Sequence, residues 1–378
     1  KDENPERTGF AHFFEHLLFE GTENIARGQW DQIVGVNGGL NNAYTTDDQT
    51  YYYELFPSNN LQLALWMESE RMFHPVINQV GVDIQREVIK EEKRKSYDNR
   101  PYGQLLTVVK TNMFKTHPYR WMTIGSMEHL DAATLDEFKN FFTKFYVPNN
   151  AVLVVAGDFE TADAKKWVDM YFKDIPKGAP ITRNLYTEEP IISEIRTSFE
   201  DPNIQIPALL AAYRTPPMKD RDAYVLNMIS SILTDGKSSR LYSKLVDKEK
   251  TALEIQALNF SEEDYGAYII FGLPMTGKTN DDILKGIDEE VIRLQTELIS
   301  EKEYQKLQNQ FENSFVRNNA TVENIADNLA NYYLLYKDVN LINTEIDLYR
   351  SITREEIRDV ANRYLKPNQR VVIDYMPK

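Results

Sequence analysis

One pair of segments limits the fold more than any other feature of this chain. Thr134…Glu137-Phe138…Phe145…Pro148-Asn149…Val152-Leu153-Val154 recurs as Thr353…Glu356-Ile357…Tyr364…Pro367-Asn368…Val371-Val372-Ile373. The offset is a constant 219 residues, from Thr134 to Thr353 and from Pro148 to Pro367. Each copy reads as a helix opened by a Thr–Glu capping box, then a Pro-Asn turn, then a buried apolar strand. A unit recurring at the end of each half implies a duplicated domain. The predicted fold class is α+β: two similar domains, each an antiparallel or mixed sheet packed with helices. Pro176, Gly178, Pro180 and Pro190 mark the break between them. The expected division is a first domain over 1–180, a linker over 181–199 and a second domain over 200–378.

Hydrophobic periodicity fills in the rest. The first half is expected to hold strands over 41–46 and 50–56, joined at Asp47-Asp48-Gln49, and a strand over 151–157. Its helices are expected near 10–19, 28–35, 59–72, 82–97, 102–114, 134–145 and 162–172. The second half is expected to hold strands over 192–199, 206–213, 253–260, 266–273 and 371–375. Its helices are expected over 220–233, 240–247, 280–298, 301–319, 322–335 and 353–364.

The chemistry sits in His12-Phe13-Phe14-Glu15-His16. Thr8 is the expected cap of this helix, after the loop marked by Pro5 and Gly9, and Gly21 fits its C-terminal end. Imidazoles four residues apart share one helix face, with a carboxylate on the same turn. That pattern suits a zinc ion, which takes three protein ligands and leaves one position for water. The carboxylate beside it suits a general base. Phe10, Phe13, Phe14, Leu17 and Leu18 make the helix apolar nearly all round, so it is expected to be buried. The alternative is a core helix whose histidines hydrogen-bond to backbone.

All five histidines lie in the first half. If the halves are duplicates, only the first carries metal chemistry. His74 and His117 precede prolines and His129 falls in a loop; each reads as an ordinary surface or turn histidine. A third ligand is sought instead on helix 82–97, which offers Glu87, Glu91 and Glu92. Glu92 shares the stripe of Val88 and Ile89, as does Gln85, whereas Glu91 lies on the flank and Glu87 further round. The pattern ranks Glu92 first, while each carboxylate taken singly also fits a solvated helix face.

Three stretches together resemble one known family. They are Gly9-Phe10-Ala11-His12-Phe13-Phe14-Glu15-His16-Leu17-Leu18-Phe19-Glu20-Gly21-Thr22, Gly38-Gly39…Asn42-Ala43-Tyr44-Thr45 and Arg86-Glu87-Val88-Ile89-Lys90-Glu91-Glu92. The chain is similar to the pitrilysin/insulinase family of zinc peptidases, which includes the mitochondrial processing peptidase. In that family the distal glutamate follows the second histidine by about 76 residues, the spacing from His16 to Glu92. The resemblance implies one Zn2+ per chain held by His12, His16 and Glu92, with Glu15 activating water to hydrolyse peptides or unfolded polypeptide segments. Asn42, Ala43 and Thr45 would lie on an edge strand that takes the peptide. Gly236-Lys237-Ser238-Ser239-Arg240-Leu241-Tyr242 resembles the family's second half. Arg240 and Tyr242 are candidates for its substrate-holding arginine–tyrosine pair, and Tyr268 stands at the usual arginine position. Gln85 stands where many members carry a glutamate that supports the site. The family also has a strand or two ahead of the motif, which this sequence does not show; its start at Lys1 reads as trimmed. Members close two such units around a peptide, which implies a homodimer or a heterodimer with a related chain. The alternative function is a non-catalytic or scaffold subunit of such a complex.

Composition sets outer limits. A formal net charge of −15 argues against a nucleic-acid partner. The absence of cysteine excludes thiol catalysis and disulfides and leaves the compartment open. No apolar run of about eighteen residues suggests a membrane span. The resemblance is compatible with a bacterial cytoplasm or periplasm.

Overall fold

The computed structural model describes residues 1–378. In chain order the helices are α1 (Phe10–Leu17), α2 (Trp30–Val36), α3 (Leu61–Phe73), α4 (Gln79–Lys93), α5 (Leu105–Met113), α6 (Met127–Ala132) and α7 (Leu135–Phe145). They continue as α8 (Thr161–Phe172), α9 (Arg221–Thr234), α10 (Asn280–Thr296), α11 (Glu301–Asn318), α12 (Val322–Asn331), α13 (Leu341–Ser351) and α14 (Arg354–Tyr364). The strands are β1 (Leu40–Thr45), β2 (Thr50–Leu55), β3 (Ile195–Asp201), β4 (Ala208–Thr215), β5 (Ala252–Ser261), β6 (Gly266–Pro274) and β7 (Val371–Pro377).

The repeat read from sequence runs through this order. α7 and α14 both open with a complete capping box, Thr134–Glu137 and Thr353–Glu356. The same offset carries the first residue of α3, Leu61, onto the first residue of α10, Asn280, and the last of α6, Ala132, onto the last of α13, Ser351. α6 and α13 are short helices that the apolar pattern does not announce. The helix expected over 240–247 is instead a wide π-type turn, Tyr242–Lys248.

Two compact units form. The first gathers residues 1–96, 121–186 and 321–334, the second residues 97–120, 187–320 and 335–378. The chain therefore passes between units more often than one linker over 181–199 requires. α5 belongs to the second unit and α12 to the first, although each comes from the other half of the sequence.

The second unit is built on a five-stranded mixed sheet ordered β3-β7-β4-β6-β5. Only the β3–β7 pair is parallel. β7 reads Val371-Val372-Ile373, and these residues are fully buried with a strand on either side. One face of the sheet packs Leu209, Ala211 and Tyr213 with Ile229, Ile287 and Ile357 of the helices. The other face packs Leu210, Ala212 and Ile373 with Val109 and Met113 of α5.

The first unit holds only the hairpin β1–β2, with Asn42 opposite Tyr53 and Thr45 opposite Thr50. The strand expected over 151–157 does not form. Its sequence is strand-like, but a strand needs a ladder, and the one ladder of this unit joins β1 to β2 without this segment. In the second unit the equivalent β7 is flanked by β3 and β4.

Candidate metal centre

The site starts from α1. Phe10, Phe13, Phe14 and Leu17 are buried, and Phe10 and Phe13 lie 4.7 and 4.4 Å from the ring of Phe138 on α7. Phe14 stacks on Phe141 at 5.4 Å. Locking these rings against α7 turns the remaining face of α1, with His12, Glu15 and His16, toward α4. Thr8 is not the cap. The N-cap is Gly9, at φ +95°, where a Cβ would sit 2.8 Å from the carbonyl oxygen of Ile124. The buried carboxylate of Glu3 takes over instead, accepting the N–H groups of Gly9 (2.9 Å) and Ala11 (2.8 Å). Thr8 turns to His129, its hydroxyl 2.8 Å from Nδ1.

α4 supplies the third group. Asn78 caps it by accepting the Gly81 N–H at 2.9 Å. Arg86 fixes its rotation by donating to the carbonyls of Leu130 (2.9 Å) and Ala133 (3.0 Å) at the end of α6. Val82 and Ile89 are fully buried, which brings Glu92, one turn beyond Ile89, to the histidines. Of the stripe expected from the sequence, Ile89 is buried and Val88 is not: Val88, like Ile84, is more than 40% exposed. The buried side of α4 thus lies along Val82, Ile89 and Glu92, rotated away from Ile84 and Val88.

Glu92 Oε2 stands 3.2 Å from His16 Nε2, and Oε1 stands 3.6 Å from His12 Nε2. The three donor atoms lie within 4.8 Å of one another. Hydrogen bonds from His12 and then His16 hold the Glu92 carboxyl down to about 2. Two imidazole nitrogens and one carboxylate form a donor set suited to zinc, and tetrahedral bonds of 2.0–2.2 Å separate ligand atoms by about 3.4 Å. Glu92 reaches the two imidazoles through different oxygens, at distances close to that value, and one donor atom from each residue lies within 4.8 Å of the others, so these residues fit the ion.

Beside the trio, Glu15 Oε2 accepts a hydrogen bond of 2.6 Å from Thr45 Oγ1 at the end of β1. The hairpin is held on both faces. On one, Tyr52 donates to the carbonyl of Phe14 at 2.9 Å. On the other, Tyr44 donates to Asp327 of α12 at 2.6 Å, and Gln49 donates to Asn331 at 2.5 Å. β1 pairs only with β2, so its outer edge is open. There Asn42 Oδ1 accepts the Ala43 N–H at 2.9 Å.

Other expected residues do different work. Gln85 donates to Glu20 at 2.5 Å, and Glu20 also pairs with Arg27. Arg240 forks onto Glu303 at 2.7 and 2.9 Å, an intra-unit tie to the first turn of α11. Tyr242 packs against the second unit's core and Tyr268 is fully buried within it. His117 is no surface histidine: it is buried, its Nε2 3.2 Å from Asp264. Glu3, Asp327 and Asn331 were missed by sequence reasoning. Nothing in the local pattern of an acidic residue seven positions ahead of a helix, or of a helix nearly 300 residues downstream, signals those contacts.

Residues 1–126 match the family model described as Insulinase (Peptidase family M16), and residues 132–311 match Peptidase M16 inactive domain. The chain is 27% identical over 386 residues to a protein named zinc protease PqqE from Helicobacter pylori, covering 100% of this chain and 85% of that one. It is 23% identical over 380 residues to the probable mitochondrial-processing peptidase subunit beta of Arabidopsis thaliana, covering 96% of this chain and 70% of that protein. A crystal structure of a protease from Helicobacter pylori superposes with a TM-score of 0.94 at 26% identity, covering 99% of this chain and 90% of that one. With the two family domains in order along the chain and the fold shared with that protease, the protein belongs to the insulinase, or M16, peptidase family.

Proposed function

We propose that this chain is a zinc-dependent endopeptidase acting on extended peptides or unfolded polypeptide segments. The convergence of His12, His16 and Glu92 beside Glu15 carries the reading. His12, His16 and Glu92 would hold one zinc ion. When bound, such an ion polarises a scissile carbonyl and lowers the pKa of its water. Glu15 accepts the proton of the attacking water and delivers it to the leaving amide nitrogen. The open edge of β1 takes the peptide by main-chain hydrogen bonds, with the Asn42 side chain yielding the Ala43 N–H to a substrate carbonyl. Thr45 lines the same strand. Arg240 and Tyr242 contribute to the second unit's packing, so the reading does not use them to hold substrate.

Relatives named as zinc proteases support this reading, and one is titled a subunit. We extend it to a dimer, with a second copy or a related chain. No helix is long and apolar enough to cross a membrane. A second reading, a non-catalytic partner subunit, draws on the inactive-domain match over 132–311. One experiment separates them: metal analysis of the purified protein, with cleavage of a short unstructured peptide before chelation, after it and after zinc is restored. One equivalent of zinc and chelator-reversible cleavage are expected. Bound zinc without cleavage would favour the partner subunit.

A further inference from the structure

We propose that Thr45 is a positioning residue that sets the orientation of the Glu15 carboxylate, so that the strand receiving the peptide also aims the base. The inference rests on the peptidase reading above. A glutamate on a helix surface has three side-chain torsions to settle, and one hydrogen bond reaches this carboxylate, from Thr45 Oγ1 to Oε2 at 2.6 Å. That length is typical of a hydroxyl donating to a charged oxygen. With Oε2 engaged, Oε1 is the oxygen left to meet a water.

The donor is itself fixed. Thr45 is directly opposite Thr50 in the hairpin, and their hydroxyl oxygens are 3.3 Å apart. With the Thr45 proton on Glu15, any hydrogen bond between the two hydroxyls runs from Thr50 to Thr45. Thr45 is β-branched and stiff about χ1. Its strand is tied to α1 through Tyr52 and to α12 through Tyr44, on opposite faces. The hydroxyl therefore arrives at Glu15 from a backbone that cannot slide without breaking other bonds. Alternation along β1 puts Thr45 and Ala43 on the α1 side and Tyr44 on the α12 side. Peptide docking on β1 and alignment of the base become two properties of one strand.

The test compares wild type with Thr45→Val, which keeps the shape and strand preference, and Thr45→Ser, which keeps the hydroxyl. Each is measured for zinc content, kcat and KM, and each is crystallised. For Thr45→Val, kcat is expected to fall about 10- to 100-fold with KM held within about 3-fold, while Thr45→Ser recovers most of the rate. Zinc content stays at the wild-type value. Crystal structures are expected to show Glu15 in one conformer in wild type and Thr45→Ser, and in several in Thr45→Val. An unchanged kcat in Thr45→Val, a loss confined to KM, a serine variant as slow as valine, or a singly ordered Glu15 in Thr45→Val would each overturn the proposal. If zinc-loaded wild type cleaves no peptide, the peptidase reading falls, and the crystallographic comparison still decides whether Thr45 sets Glu15.

Discussion

α1 and α9 occupy the same place in the repeat and differ where chemistry is concerned. The 219-residue offset pairs Phe10 with Ile229, Phe13 with Ile232 and Phe14 with Leu233, all of them buried. It pairs His12 with Ser231, Glu15 with Thr234, His16 with Asp235 and, on the facing helix, Glu92 with Phe311. The apolar frame is kept and the donor set is gone. In the second copy Asp235 accepts a hydrogen bond of 3.0 Å from Gln310 of α11, and Phe311 packs on Tyr349 at 4.4 Å. Thr234 accepts the Ala257 N–H of β5 at 2.9 Å. Helix and hairpin are joined in both copies, by Glu15 and Thr45 in one and by Thr234 and Ala257 in the other. Burial holds the frame in both copies, and the His12–His16–Glu92 donor set is an addition that one copy carries.

Four substitutions test that contrast. The largest effect is expected from Glu15→Gln, which removes the base and keeps the shape. Peptide hydrolysis should fall on the order of 1,000-fold or more with zinc content unchanged, and turnover near wild type would break the division of labour between the copies. Next is Phe311→Ala in the second copy. If that position serves packing alone, unfolding should be easier by about 2 kcal/mol, read by denaturant melts, with zinc content untouched. Loss of zinc in that variant would mean the second copy reaches the metal. A smaller effect is expected from Ala43→Pro, which removes the N–H from the open edge of β1, a position where proline is tolerated. KM should rise about 10-fold while kcat holds; an unchanged KM would put the peptide elsewhere.

The smallest effect concerns Glu54 on β2, whose counterpart in the repeat is Leu273. Burial first, and the Glu68 carboxylate second, push the Glu54 carboxyl from 4.5 up to about 9. Nearby Arg71 gives its Nε and one Nη to Glu68, at 3.1 and 3.2 Å. Between those two values the folded chain keeps a proton that the unfolded chain has released. Stability contributed by this group is therefore whole below about 4.5 and declines as the pH rises toward about 9. Glu54→Gln cannot titrate, so its Tm relative to wild type should climb between about pH 5 and about pH 9. A difference that stays flat would show that Glu54 is ionised in the fold.

The expectations made from sequence fared best where a signal is local. The capping boxes of α7 and α14 and the β1–β2 hairpin stand where the pattern put them. Two imidazoles four apart on α1 share a face because the helical period requires it. Segment 151–157 shows the limit: its residues match those of β7, yet only β7 has neighbours to pair with. Strand formation is a property of two segments, and the pattern describes one.

By itself the sequence determined the repeat, the apolar frame of each copy and the face on which His12, Glu15 and His16 stand, since each follows from spacing within a few turns. Tertiary structure decided the rest. Only the rotation of α4, set by Val82, Ile89 and the hold of Arg86 on α6, brings Glu92 to the imidazoles. Only the packing of the hairpin between α1 and α12 brings Thr45 to Glu15. Contacts between residues tens to hundreds of positions apart depend on how whole elements pack, and the periodicity of one element does not encode where its neighbour will lie.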